Sequence, residues 1–73
     1  MNGANEHLTE SAIVVNYLKS YKNIELFNKR TNKHLYWAHD TLQWEVYYFN
    51  RRPTWTYKGN NITAALVDFE QAP

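Results

Sequence analysis

The chain has 73 residues, no cysteine and a formal net charge of +1. That length allows a single domain, and the missing thiols exclude a disulfide framework and a thiolate metal site. No apolar run approaches the ~18 residues that span a membrane, and the opening Met1-Asn-Gly-Ala-Asn-Glu6 has neither the basic nor the apolar region of a signal peptide, so a cytoplasmic protein is expected.

In chain order, residues 1–7 read as a frayed polar lead. Thr9 reads as an N-cap, with Glu10 in the first turn where the helix dipole favours a carboxylate. From Glu10 to about Lys22 the spacing is helical: Ile13, Val14, Tyr17, Leu18 and Tyr21 follow i, i+3 and i, i+4 steps and define one stripe. The period then shortens to two. Residues 24–28 alternate, with Ile24 and Leu26 on one face and Glu25 and Phe27 on the other. Lys29-Arg-Thr-Asn-Lys33 is a polar turn, and 34–38 reads as a second strand. A loop at 39–43 leads to the clearest strand, 44–50, rich in aromatic and β-branched residues. Arg51-Arg-Pro53 breaks it, because proline cannot donate to a central ladder. Residues 54–58 read as a fourth strand, Gly59-Asn-Asn61 as a turn with an asparagine cap, and Ile62, Ala65, Leu66 and Phe69 as a second helical stripe.

The order is α-β-β-β-β-α. Short connections make neighbouring strands antiparallel, and two one-sided helices need a sheet to cover. The expected fold is α+β: an antiparallel meander with both helices packed on one face.

Eight of the twelve aromatic residues, including all three tryptophans, fall between Tyr36 and Tyr57. So small a domain has little interior in which to bury them. All eight lysines and arginines lie between Lys19 and Lys58, where only Glu25, Asp40 and Glu45 oppose them, a net of +5 between acidic ends. Strand parity divides the rings. Trp44, Val46 and Tyr48 share the face expected to be covered by the helices; Glu45, Tyr47 and Phe49 share the face expected to meet solvent. In the fourth strand Trp55 and Tyr57 point the same way.

Exposed rings stack on bases while lysine and arginine follow phosphates. The pattern therefore suggests a non-enzymatic nucleic-acid-binding module. Tyr47, Phe49, Trp55 and Tyr57 are its stacking candidates, and Lys29, Arg30, Lys33, Arg51, Arg52 and Lys58 its phosphate contacts. The alternative partner is a protein, including a second copy paired through the sheet, since aromatic residues and arginine are enriched in interface hot spots. A remote alternative is a metal-independent ribonuclease using His39, Asp40 and Glu45 as acid–base groups beside Arg51 and Arg52. The Asp-x₄-Glu spacing is similar to colicin-type ribonucleases, without their glycine-rich context. His7, His34 and His39 have no zinc-ligand spacing, and neither a metal nor a cofactor is expected.

The pattern from Trp44 to Glu70 resembles the sheet-plus-helix DNA-binding modules of phage integrase arms, in layout but not in a specific motif. The element order is similar to double-stranded-RNA-binding domains, but those open their second helix with a basic cluster, and this one opens Ile62-Thr-Ala-Ala65. Neither resemblance extends to family membership. Size and composition suit a small accessory protein of a bacterium or mobile element.

Overall fold

The computed structural model describes the backbone of residues 3–72 and the side chains of residues 12–72. Helix α1 (Gly3–Ser20) leads into strands β1 (Glu25–Asn28), β2 (Lys33–Ala38), β3 (Gln43–Tyr48) and β4 (Tyr57–Gly59), followed by helix α2 (Ile62–Glu70). The strands form one antiparallel sheet in the order β1-β2-β3-β4. The expected meander and element order are therefore what the chain adopts.

Both helices lie on one face. Leu18 of α1 and Ala65 and Phe69 of α2 bury against Leu35 of β2 and Trp44 and Val46 of β3. Trp37, Tyr57, Ile24, Ile62 and Leu66 close the rim of this core. Parity assigned that face correctly, and the α2 stripe packs as its spacing requires. Asn61 caps α2: its side-chain oxygen accepts the Ala64 N–H at 3.1 Å.

Three local readings are corrected. Helix α1 begins at Gly3, so Thr9 lies within it and does not cap it, and the polar lead from residue 3 is helical backbone; residues 1 and 2 lie outside the described residues. The α1 stripe is also split. Val14, Val15 and Leu18 pack on the core while Ile13, Tyr17 and Tyr21 face outward. Among the described side chains, the buried face of α1 is therefore narrower than its apolar stripe. The fourth strand starts at Tyr57 rather than Thr54: Thr54 donates its N–H to Arg51 O inside the loop, and Thr56, whose N–H reaches Val46 O at 2.7 Å, precedes the first ladder pair, Val46–Tyr57.

The β1–β2 and β2–β3 connections are four-residue turns of one build. In each, the last turn residue is left-handed, Asn32 at φ 61° and Leu42 at φ 56°. Each donates its N–H to the carbonyl four residues back, that of Asn28 or Ala38, at 2.8 Å. Asparagine tolerates this conformation; leucine, with its Cβ near the following carbonyl, does not.

The C-terminus of α2 is held by the β1–β2 hairpin. A helix leaves its last carbonyls without intrahelical partners and carries partial negative charge there. Here the Thr31 hydroxyl donates to Phe69 O at 2.8 Å, the Asn28 amide to Phe69 O at 3.2 Å and the Lys33 ammonium to Asp68 O at 2.7 Å. The Arg30 guanidinium donates to Glu70 O. Thr31 and Lys33 are both buried. The Asp68 carboxylate is reached by the Lys33 ammonium at 3.5 Å and by the Thr56 hydroxyl.

Two stability outcomes are expected in denaturant titrations. Lys33→Met removes the buried ammonium shared by Asp68 O and the Asp68 carboxylate, leaving only the Gln71 N–H on that carbonyl, and lowers stability by about 1–3 kcal/mol, whereas Lys29→Met, at an exposed turn position, stays within about 0.5 kcal/mol of the parent. Leu42→Asn relieves the left-handed leucine without losing packing, since that side chain is exposed, and raises stability by about 0.5–1 kcal/mol.

Candidate functional site: the open sheet face

Among the described residues, no helix covers the opposite face of the sheet. Register places Glu25 and Phe27 of β1, His34 and Tyr36 of β2, Glu45 and Tyr47 of β3 and Lys58 of β4 side by side on it. The cross-strand pairs Phe27–His34 and His34–Tyr47 have ring centroids 4.8 and 5.4 Å apart. Phe49, just past β3, joins them at 5.9 Å from His34 and 6.1 Å from Phe27. The result is a continuous ring layer rather than isolated aromatics, with the geometry that cross-strand aromatic pairs favour. Phe27 and Phe49 present 43% and 51% of their surface to solvent.

The loop 49–56 folds back over the middle of this layer. The Arg52 guanidinium lies 4.8 Å above the Tyr36 ring and 5.9 Å from that of Tyr47. Its Nε is 3.4 Å from Glu45 Oε1, an ion pair without the direction of a hydrogen bond, and Glu45 is buried beneath it. Glu45 and the Tyr36 and Tyr47 rings attract the same cation by charge and by quadrupole, which fixes the arginine across the sheet. The Tyr47 hydroxyl donates to Glu25 Oε2, and His34 Nδ1 lies 3.6 Å from that same oxygen.

Arg52 separates two open hollows. The smaller, about 380 Å³, is lined by Glu25, His34, Tyr47, Phe49, Asn50 and Arg52. The larger, about 600 Å³, is lined by Lys22, Asn23, Tyr36, His39, Asp40 and Arg52.

The structure sorts the residues that sequence put forward. Phe49, Arg51, Arg52, Lys29, Trp55 and Lys58 are exposed, and the Lys58 ammonium sits 4.0 Å above the Trp55 ring at the β4 edge. Tyr47 is on the open face, as parity requires, but is only 4% exposed, so the expectation of a solvated ring there is corrected: Arg52 and the neighbouring rings cover it. Tyr57 is half-buried on the helix side, and its hydroxyl accepts the Asn61 N–H at 3.2 Å. Arg30 and Lys33 are held by the α2 carbonyls and are not available to a phosphate on the open face. His39 donates through Nε2 to Lys19 O at 2.8 Å and so serves the end of α1. His39 and Asp40 line the larger hollow, while Glu45 lies under Arg52, and no hydrogen bond or ion pair joins the three among the described residues. Sequence reasoning missed Phe27, His34 and Tyr36 as site members. Their parity with Glu45 and Tyr47 was legible, but only the β1–β2 register brings Phe27 beside Phe49.

No group of histidine, cysteine or acidic side chains among the described residues could hold a metal ion, and no helix among them is long and apolar enough to cross a membrane. Arg52→Ala is expected to lower stability by about 1–2 kcal/mol, because it uncovers two rings and removes the counter-charge of Glu45. Arg51→Ala is the control and stays within about 0.5 kcal/mol in the same denaturant titration. No family model matches the chain, and neither does any curated protein or solved structure.

Proposed function

We propose that the open sheet face binds single-stranded nucleic acid. One observation carries this reading: half-exposed Phe27 and Phe49 stand beside His34 on a helix-free face that Arg52 crosses. Bases stack on such rings at about 1–3 kcal/mol each, with little regard to sequence. Arg51 in the loop and Lys29 in the neighbouring turn are exposed cations at the strand end of the sheet where Phe49 lies, and Lys58 stands over Trp55 at the β4 edge. A duplex cannot offer its base faces to these rings without unpairing, so the strand is single.

A second reading, self-association, is favoured by a different surface. Ile13, Tyr17 and Tyr21 form an exposed apolar strip on α1, with the two tyrosine rings 5.1 Å apart. A second copy covering that strip would leave the sheet face open.

Titration with single-stranded oligonucleotides at about 50 and 200 mM salt is expected to show binding that weakens steeply across that range. Phe27→Ala and Phe49→Ala each reduce affinity by about 1–3 kcal/mol with the salt slope unchanged. Absence of binding at the lower salt overturns the nucleic-acid reading. Light scattering over a range of concentrations tests the other: a mass that stays at one chain removes self-association through α1.

A further inference from the structure

We propose that the smaller hollow selects guanine. The inference rests on the reading of the open face as a single-strand platform and names the base that the platform prefers.

The hollow has one stacking wall and one polar wall. Phe49 supplies the first, half-exposed and stacked at 25° to the His34 ring. Glu25 supplies the second. Its Oε2 accepts the Tyr47 hydroxyl, which fixes the direction of the carboxylate, while Oε1 has no hydrogen-bond partner among the described residues. Its side chain is 39% exposed, so a ligand can reach it. An ionised carboxylate only accepts hydrogen bonds. The base that suits it must therefore present donors, and two adjacent donors suit it best, one on the free Oε1 and one on the lone pair of Oε2 that Tyr47 does not use.

Among the four bases only guanine has that edge: N1–H beside the N2 amino group. Adenine sets an acceptor, N1, next to its amino group. Cytosine does the same with N3. Uracil has a single N–H flanked by two carbonyl oxygens, which the carboxylate repels. Guanine's remaining acceptor, O6, requires a donor, and Asn50 and Arg52 line the same hollow. Arg52 already lies against Glu45 and the tyrosine rings, which reduces the ordering that binding costs. Base edges of single strands are read in this way, by stacking together with Watson–Crick-edge hydrogen bonds.

The test uses short oligouridines carrying one central guanine, adenine, cytosine or uracil, made as RNA and as DNA, with the intact chain. The guanine strand is expected to bind about 5- to 150-fold tighter than the other three. Glu25→Gln, which replaces one accepting oxygen by a donor, brings the four strands together while binding persists, and Phe49→Ala weakens all four. Thermal melting of both variants checks that they remain folded. Competition by guanosine monophosphate at the concentration that the guanine strand needs assigns the site to a free nucleotide; competition by the strand alone assigns it to a polynucleotide. Both keep guanine as the ligand. Equal affinity for the four strands, or a guanine preference that survives Glu25→Gln, overturns the proposal while leaving the platform standing. Failure of every strand to bind overturns the platform and this inference with it.

Discussion

The capping of α2 by the β1–β2 hairpin is the contact on which the rest of this structure depends. A nine-residue helix is too short to be stable alone. Its apolar side is held by β2, β3 and β4, and its unpaired carbonyls by Asn28, Arg30, Thr31 and Lys33. The hairpin that makes these bonds also carries β1, the edge strand that ends in Asn28. The same four side chains therefore orient the helix and tie the far side of the sheet to the core. With α2 held there and Leu18 of α1 packed beside it, both helices are on one face and the other is left without a layer.

This arrangement divides the basic residues into two groups with different work. Lys33 and Arg30 neutralise a helix end. Lys19 sits 4.8 Å from the ring of Trp37 at the core rim and 5.9 Å from that of the buried Trp44. Arg52 and Lys58 lie on the open face, Lys22 lines the larger hollow, and Arg51 and Lys29 are exposed in the flanking loop and turn. The basic middle of the chain is thus not one electrostatic patch. Part of it is internal stabilisation, and the part that remains borders the ring layer that bases would stack on.

The open face is itself partly structural. Tyr47 and Glu45 are as buried as much of the core, although no second layer of secondary structure covers them. A single arginine from a loop, together with cross-strand ring packing, does what a helix does on the other side. Its reach comes from the β3–β4 connection, which is too long and irregular to make a tight turn. The half-exposed Arg52, with Glu45 buried under it, stands between the two hollows, and the proposed stacking wall at Phe49 and polar wall at Glu25 lie beside it in the smaller one.

Much of the fold was determined by the sequence itself. Apolar spacing of 3.6 and of 2 distinguishes helices from strands, short polar turns make the meander antiparallel, and Asn61 caps α2 as its position implies. Parity alone placed Val46 with the core and Glu45 with Phe49 on the other face. These are local consequences of backbone geometry, and they need no knowledge of distant neighbours. What each charged or aromatic side chain does was decided only by tertiary structure. Lys33 reads as a free turn lysine until α2 arrives 35 residues later to take its ammonium. Tyr47 reads as a surface ring until Arg52 folds over it, and Phe27 reads as an isolated phenylalanine until pairing of β1 with β2 sets it beside Phe49. Burial and charge neutralisation depend on partners that are remote in sequence, and no local period encodes which partners those are.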